Sequence, residues 1–258
     1  MHKISVVIHT FNNEKIIREC LDSVKDFDEI VICDMYSTDK TLEIAEEYGC
    51  KIVMHENIGW ADPARNFAIS HASNDWVLVV DSDERIPEKL KNYMYDFVSN
   101  AGEYTALRIP RLNYCWGQPL EVLYPDLIIR LFKKDVTYYP TTVHGTPVIN
   151  SGKEFYMPTK DRGLAIIHTH TTSITPIINK LNKYTDLECE KMIAANYKLN
   201  MPYAIWKSIW LMFEKFTLKK GYKDGVRGAI QSFLFGTYKF LSFVKYWEYL
   251  NSSKTVKE

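Results

Sequence analysis

The sequence predicts an α/β fold in which a mostly parallel β-sheet is flanked by helices and followed by a C-terminal helical appendage. Short β-branched runs alternate with apolar residues at helical spacing through roughly the first hundred residues. Acidic clusters begin at Asp34 and at Asp81, each directly after one of these runs. From Pro176 onward the apolar spacing becomes helical. Strands that alternate with helices form parallel sheets, whose ligands bind beyond the carboxyl ends of the strands.

Four strands are predicted in the first part of the chain. They lie at residues 4–8, 29–33, 51–54 and 76–80. Helices are predicted between them, at residues 16–24, 42–48 and 62–71. Asp39 precedes the second of these helices, where a carboxylate can accept hydrogen bonds from free backbone amides. Each connection between successive strands is therefore long enough to include a helix, which favours parallel pairing.

The regular alternation stops beyond about residue 103. Short strand candidates follow at residues 105–109, 127–132, 146–149 and 164–168, interleaved with proline and glycine. We predict one domain over residues 1–175, with halves at 1–100 and 101–175. A helical, basic and aromatic region is predicted over residues 176–258.

Charge and cysteine content restrict the class of protein. The 258 residues have a formal net charge of zero, whereas residues 200–258 hold ten Lys and Arg against four Asp and Glu. The five cysteines are scattered without a C-x-x-C pair, so we expect reduced thiols. Neither a signal peptide nor a charge-free stretch of membrane-spanning length is present. We therefore expect a cytoplasmic protein without a membrane span.

Asp81-Ser82-Asp83 is the main candidate for metal binding. Two carboxylates separated by one residue, directly after a buried strand, can direct oxygen ligands toward one hard cation such as Mg²⁺ or Mn²⁺. An isolated D-x-D spacing is also typical of a solvated acidic loop. The strand at 76–80 favours the metal site, and we predict Asp81 and Asp83 as ligands.

Four motifs of the first half resemble glycosyltransferase family 2, whose members have the GT-A fold. The motifs are SVVIHTFNNE at 5–14, DMYSTDKT at 34–41, ARN at 64–66 and DWVLVVDSDE at 75–84. The resemblance is clear over residues 3–90 and thinner to about residue 170. It looks closest to the branch that extends lipopolysaccharide core sugars. The resemblance makes residues 1–100 the nucleotide-binding half and residues 101–175 the acceptor half.

The resemblance implies roles for residues at the strand ends. Thr10 would line the nucleotide pocket, and Asp34 would hydrogen-bond a pyrimidine base. Arg65 would approach the donor diphosphate, for which a guanidinium is well suited. Asp81 would contact the nucleotide-sugar as well as the metal. Asp34 could instead stabilise a turn, and Arg65 could be a surface residue paired with Asp62.

Glycosyl transfer with inversion requires a general base near the acceptor hydroxyl. Asp126 is our first candidate, followed by His144 and Glu84. Gly145 follows His144 where the related branch often has an acid, which weakens that candidate. By analogy with other GT-A enzymes, His168 would complete the metal site. A hydrogen-bonded structural histidine is an equal alternative for both histidines.

Residues 202–250 combine aromatic residues with lysines. Aromatic rings suit the headgroup region of a membrane and lysines suit anionic lipid, so this stretch predicts contact with a membrane surface. Packing on the catalytic domain or on a second protomer, as in a homodimer, is an equal alternative. Nucleic acid is not an expected partner, because the motifs of RNA-binding and DNA-binding modules are absent.

The resemblance therefore implies a metal-dependent, inverting glycosyltransferase. Its donor would be a nucleotide-sugar, a UDP-hexose in our prediction, and its cofactor Mn²⁺ or Mg²⁺. Its acceptor would be a bacterial cell-surface glycan or a lipopolysaccharide core at the inner face of the cytoplasmic membrane. A nucleotidyltransferase is less favoured, because residues 8–15 lack the expected glycine-rich loop. A catalytically silent nucleotide-binding scaffold with the same fold is the other alternative.

Overall fold

The computed structural model describes residues 2–56, 62–140, 146–169 and 173–255. The chain divides into two compact units. The sheet unit contains Met1–Leu112 and Pro125–Thr169, and the helical unit contains Asn113–Tyr124 and His170–Glu258. Residues 113–124 thus group with the C-terminal helices, whereas the sequence places them in the acceptor half. Their backbone is held there by Asp224, which accepts hydrogen bonds from the amides of Glu121 and Val122 at 2.8 and 3.0 Å.

Twelve strands lie in the part of the chain that the structure describes. They are β1 (Ile4–Thr10), β2 (Glu29–Asp34), β3 (Lys51–Met54), β4 (Trp76–Asp81), β5 (Glu84–Arg85), β6 (Tyr104–Cys115), β7 (Gln118–Pro119), β8 (Asp126–Lys133), β9 (Thr137–Tyr138), β10 (Val148–Ile149), β11 (Lys153–Tyr156) and β12 (Ile166–Thr169). The α-helices are α1 (Ile17–Val24), α2 (Thr41–Glu47), α3 (Asp62–Ser70), α4 (Glu88–Ser99), α5 (Ile174–Ala194), α6 (Met201–Phe216) and α7 (Val226–Thr255).

The main sheet has the strand order β3-β2-β1-β4-β8-β6-β12-β5. Strands β1 to β4 pair in parallel, and β8 runs antiparallel to both of its neighbours, β4 and β6. The register opposes Thr10 to Asp34 and His9 to Asp81. The predicted fold class, a mostly parallel sheet flanked by helices with a C-terminal helical region, is confirmed.

Both faces of the parallel strands are covered by helices. On β1, Val6 and Ile8 join the core cluster that includes α1 and α4, while Val7 joins the cluster that includes α3. Successive side chains of a strand point to opposite faces, so an uninterrupted apolar run is the pattern expected of a strand buried on both sides. The buried strands fix the positions of the polar residues at their carboxyl ends.

Helix α4 was not predicted from the sequence. Its buried residues Leu90, Met94 and Val98 recur every four positions and pack into the core of the sheet unit. Pro87 precedes the helix in an extended conformation, which suits a residue at a helix start. Tyr93 and Phe97 pack against the same core, so the residues carried the full spacing of an amphipathic helix.

Helices α6 and α7 pack through small residues. Ala204 and Ser208 are the buried residues of α6, and a Cβ at Gly236 of α7 would lie only 2.7 Å from the Ser208 carbonyl oxygen. At Gly228, near the start of α7, a Cβ would overlap the carbonyl group of Gly221. The backbones approach too closely for a side chain at either glycine.

Gly228→Ala is expected to destabilise the protein by about 2 kcal/mol, although alanine is the better helix former. The added Cβ would force the backbone of Gly221 away from α7, because a carbonyl group cannot rotate aside as a flexible side chain can. Urea unfolding would measure the loss. The adjacent exposed position provides the control: Ala229→Gly should destabilise through helix propensity alone, by about 1 kcal/mol. Equal stability of Gly228→Ala and the parent protein would contradict the predicted clash.

Candidate active site

Thr10 and Asp34 meet at the carboxyl ends of β1 and β2. The Thr10 hydroxyl donates to Asp34 Oδ2 at 2.8 Å, and both side chains are buried. Ser37 donates to the same carboxylate through its amide at 2.7 Å and through its hydroxyl at 2.6 Å. Asp34 therefore stabilises the turn that follows β2, and the turn holds its carboxylate beside Thr10. A role in binding a base stays a prediction.

Asp81 ends β4 between two arginines. Arg65 Nη2 lies 3.3 Å from Asp81 Oδ1, and Arg130 forms an ion pair with Oδ2. Burial by itself would raise the pKa of the Asp81 carboxyl, but the charges of Arg130 and Arg65 outweigh it and hold this pKa well below its ordinary value. Asp81 is therefore a carboxylate at neutral pH. The side chain of Asp62, the alternative partner predicted for Arg65, lies outside the described part of the structure.

Glu84 lies beneath Asp81 and is completely buried. Its Oε1 accepts from Arg130 at 2.9 Å and from Arg111 at 3.1 Å, while Oε2 accepts from the backbone amide of Asp81 at 3.0 Å. A buried carboxylate is tolerated when it is paired with cations and its oxygens are hydrogen-bonded. Glu84 thus orients two arginines and the end of β4.

Asp126 begins β8 and is held by Arg111. The guanidinium donates to Asp126 Oδ2 from Nε at 2.9 Å and from Nη2 at 2.7 Å. The same guanidinium reaches Glu84 through Nη1, so Arg111 links two of the three residues predicted as general base. The third, His144, lies outside the described residues.

Asp83 and His168 come together although they are far apart in sequence. His168 Nε2 lies 3.2 Å from Asp83 Oδ2. The pairing of β5 with β12 sets this distance, since it opposes His168 to Glu84 in the register. The amide and hydroxyl of Thr169 donate to the Asp83 carbonyl oxygen at 2.9 and 3.0 Å. The loop after β4 is thus fixed to the end of β12.

The donor chemistry of this pair fits a divalent cation. A carboxylate oxygen and an imidazole nitrogen are ligands that Mn²⁺ accepts. The Asp81 carboxylate is paired with Arg65 and Arg130. Within residues 2–56, 62–140, 146–169 and 173–255, no three His, Cys, Asp or Glu side chains are arranged to hold a metal. A role of Asp81, Asp83 and His168 in metal binding therefore stays a prediction.

A cavity of about 270 Å³ opens beside Asp81 and is rich in arginine. It is lined by Arg65, Asp81, Arg108, Arg111, Leu127, Ile128, Ile129, Arg130, Tyr139, Thr146 and Pro147. Four guanidinium groups around one cavity suit an anionic ligand with several oxygens. Arg108 and Arg111 were not singled out from the sequence. Their spacing of three residues along β6 does not by itself indicate a binding site. The site forms because β6 pairs with β8.

The Ala64-Arg65-Asn66 motif attaches α3 to the segment after β9. Asn66 Nδ2 donates to the Tyr139 carbonyl oxygen at 2.7 Å, and the Tyr139 amide donates to Asn66 Oδ1 at 2.8 Å. The guanidinium of Arg65 lies over the Tyr139 ring at 5.1 Å. This ring and Asp81 together orient Arg65 toward the cavity.

His9 is a buried histidine of this region that was not singled out from the sequence. It opposes Asp81 in the register of β1 and β4. Neither ring nitrogen has a hydrogen-bond partner among the described residues. Burial, and then the nearby charge of Arg65, lower the pKa of His9 from 6.5 to about 3. The ring is therefore neutral at neutral pH.

His9→Leu is expected to make the protein less sensitive to acid. The unfolded chain takes up a proton at His9 below about pH 6.5, and the folded chain only near pH 3. The unfolded state therefore binds more protons within this window, and stability falls as the pH decreases through it, by on the order of 5 kcal/mol. Urea unfolding at several pH values would show a shallower decline for His9→Leu. If the free energy of unfolding of His9→Leu declined with pH as steeply as that of the parent protein, the acid sensitivity would come from other groups.

The chain is similar to known glycosyltransferases. Residues 5–153 match the family described as Glycosyl transferase family 2. An uncharacterized glycosyltransferase of Rickettsia felis is 30% identical over 265 residues, which cover 99% of this chain and 93% of the relative. The poly(ribitol-phosphate) β-N-acetylglucosaminyltransferase TarS of Staphylococcus aureus is 40% identical over 104 residues, covering 36% of this chain and 18% of TarS.

The crystal structure of residues 1–349 of Staphylococcus aureus TarS superposes on this chain with a TM-score of 0.49 and 22% identity. The superposition covers 65% of this chain and 60% of that structure. The family match at residues 5–153 spans the strand ends that hold Thr10, Asp34 and Asp81, as well as Asp83 and Asp126.

Proposed function

Because this chain belongs to glycosyl transferase family 2, we propose that it moves a hexose from UDP to an acceptor hydroxyl with inversion at the sugar carbon. The observation that carries the proposal is the position of Asp81, between Arg65 and Arg130 at one edge of a cavity and two residues before Asp83, which contacts His168. Anion-binding and cation-binding groups lie side by side there, as a sugar diphosphate with a divalent metal requires.

The donor nucleotide would bind at the ends of β1 and β2. Asp34 is held rigidly by Thr10 and Ser37, so its oxygens are already oriented before a base arrives. Arg65 and Arg130 would receive the diphosphate, and Asp81 would release one or both of them when phosphate oxygens take its place. This exchange keeps the buried guanidinium groups paired with oxygen at each stage.

Mn²⁺ or Mg²⁺ would be held by Asp83 and His168, with Asp81 as a further predicted ligand. When bound, the metal supplies Lewis-acid neutralisation of the departing diphosphate. The chain contributes the fixed orientation of these ligands, because Thr169 anchors the backbone of Asp83. Metal dependence rests on this donor set and on the family.

Asp126 is the proposed general base. Its carboxylate is about one third exposed, whereas Glu84 is completely buried and cannot reach an acceptor hydroxyl without displacing its arginines. We therefore propose that Glu84 positions Arg111 and Arg130. Arg111 would orient Asp126 through its two hydrogen bonds to Oδ2. His144 stays a predicted alternative.

We propose a bacterial cell-surface glycan as the acceptor, with a lipopolysaccharide core or its lipid-linked precursor as the first candidate. The lipopolysaccharide assignment comes from the motifs of residues 5–84. The name of the relative TarS, which is a poly(ribitol-phosphate) transferase, supports a surface polymer of bacteria as the acceptor class. The reaction would then take place on the cytoplasmic side of the membrane, where nucleotide-sugars are made.

Calorimetric binding of UDP, GDP and CDP, each with and without Mn²⁺, tests this proposal. We expect UDP to bind, and Mn²⁺ to strengthen its binding. If none of the three nucleotides binds to the folded protein, the transferase is refuted. Binding of UDP without hydrolysis or transfer of any donor would favour the silent nucleotide-binding scaffold. Tight binding of UTP with release of diphosphate from it would favour a nucleotidyltransferase.

A further inference from the structure

Helix α6 exposes a continuous apolar face. This aromatic ridge consists of Tyr203, Ile205, Trp206, Ile209, Trp210, Phe213 and Phe216, and every member is classed as exposed. Ile209 is 60% exposed and Trp206 is 56% exposed. The ridge contains no charged residue. Soluble proteins rarely leave an apolar surface of this length open to water.

The rings of the ridge contact one another along the helix. Trp206 and Trp210 stack with their centroids 6.1 Å apart and their planes at 9°. Tyr203 extends the row toward the start of α6, and Phe213 extends it toward the end, at 6.0 and 5.7 Å from the neighbouring ring. The exposed aromatic groups therefore form one surface, rather than isolated side chains.

The large apolar side chains of α6 lie on its exposed face and the small ones on its buried face, which is the reverse of the arrangement in a helix of a water-soluble protein. The small residues Ala204 and Ser208 face α7, where Gly236 leaves no room for a Cβ, and the large apolar residues face outward. The buried hydroxyls of Ser208 and Ser232 donate to the carbonyl oxygens of their own helices, at 2.8 and 2.7 Å. Helices that face lipid pack in this way, with small residues between them and serines bonded to their own backbone.

Lysines stand where the ridge ends. Lys219, Lys220 and Lys223 follow α6 and are all exposed. The neighbouring Leu218 and Tyr222 are exposed as well. Residues 202–224 contain five lysines and two acidic residues, one of which, Asp224, is buried. A second protein surface would need to supply acidic groups for these lysines, whereas an anionic bilayer supplies them along with apolar tails.

We propose that α6 lies in the headgroup region of an anionic membrane, with the aromatic ridge turned toward the acyl chains and Lys219, Lys220 and Lys223 on lipid phosphates. None of the described helices is long and apolar enough to cross a bilayer, so the contact is interfacial. The inference goes beyond sugar transfer and does not depend on it. Binding to lipid is measured without donor or acceptor.

Cosedimentation of the full chain with vesicles tests the proposal. The parent protein should sediment with vesicles of phosphatidylcholine mixed with phosphatidylglycerol, and only weakly with phosphatidylcholine alone. The triple variant Trp206→Ser, Ile209→Ser and Phe213→Ser should lose at least about tenfold in affinity, because each change removes apolar surface from the interface. A matched variant on α5, Ile174→Ser with Ile178→Ser, also removes exposed apolar side chains and should bind like the parent.

The lysines are tested separately. Lys219→Gln with Lys223→Gln should weaken binding to the anionic vesicles by about twentyfold, since a lysine near an anionic surface contributes about 1 kcal/mol, or about fivefold. Lys220 is retained, because its backbone is left-handed, with φ of 59°. Circular dichroism would show that each variant is folded.

Several results would overturn the proposal. The parent protein could stay in the supernatant with both kinds of vesicle, or the triple variant could sediment as the parent does. The parent could also be a dimer by sedimentation velocity that the triple variant dissociates, with no vesicle binding by either. That last result would assign the ridge to a second copy of the chain. Nucleotide binding in solution would be unaffected in each case, so failure here is distinct from failure of the proposed transferase.

Discussion

Asp83→Ala is expected to lower the rate of sugar transfer by roughly 10²–10³-fold, the effect of removing one group that stabilises negative charge in a transition state. His168 Nε2 lies 3.2 Å from Asp83 Oδ2, and Asp83 stands two residues after Asp81, which lines the arginine-rich cavity. The loss should appear in kcat, because the metal acts on charge that develops during departure of the diphosphate. Mn²⁺ should no longer strengthen UDP binding. Calorimetry and initial rates would measure the two effects.

Asp161→Ala is the matched control. Asp161 lies in the same unit, is partly exposed, accepts a backbone hydrogen bond from Gly163 at 3.0 Å and pairs with Lys89 at 2.5 Å. This variant should keep the parent rate and its Mn²⁺ dependence. An Asp83→Ala protein that is folded, active and still stimulated by Mn²⁺ would remove Asp83 from the metal site. That result would leave the proposed transfer reaction standing, but it would refute the assignment of Asp83 as a metal ligand.

Glu84→Ala is expected to lower the free energy of unfolding of the sheet unit by about 3–5 kcal/mol. The substitution would leave Arg130, which is buried, without one of its two carboxylates, and would remove the acceptor of the Asp81 amide. A cation deprived of its partner in a dry environment carries the full cost of its lost hydration. Hydrogen exchange of the β1 and β4 amides in urea would report on the sheet unit alone.

The control for Glu84 is an exposed carboxylate of the same unit. Glu103 pairs with Lys153 at 2.8 Å, and both side chains are largely exposed. Glu103→Ala should leave the free energy of unfolding nearly unchanged, because water and salt screen the pair. Glu84→Gln should recover part of the loss, since the amide keeps one acceptor oxygen in place. Equal effects of Glu84→Ala and Glu103→Ala would show that the buried network adds nothing to stability.

Local sequence was sufficient for the parallel half of the fold. The predicted strand at 51–54 coincides with β3, and those at 4–8, 29–33 and 76–80 differ from β1, β2 and β4 by one or two residues at the carboxyl end. A strand that is buried on both faces is a continuous apolar run, which needs no knowledge of its partners to be detected. Alternation with helices then implied parallel pairing, and parallel pairing aligned Thr10 with Asp34.

Helix α4 was missed although its local pattern was complete. Leu90, Met94 and Val98 are buried on it, and Tyr93 and Phe97 pack against the same core, which gives the spacing of an amphipathic helix. The short strands β5 and β12 are a different case. Each of these strands has few residues. Their pairing joins segments about eighty residues apart, and the local sequence contains no signal for such a long-range pairing. The approach of His168 to Asp83 follows from that pairing alone.

The sequence by itself determined the kind of groups present: carboxylates at strand ends, arginines in the second half, and aromatic residues with lysines in the C-terminal helices. The tertiary structure decided which of them share a site. Arg111 and Arg130 converge on Glu84 because β6 and β8 are neighbours. An apolar stripe at helical spacing does not by itself show whether the stripe is buried or exposed. Its burial depends on which other surface of the protein packs against it. On α6 the small residues took the buried side, and the aromatic ridge was left outside.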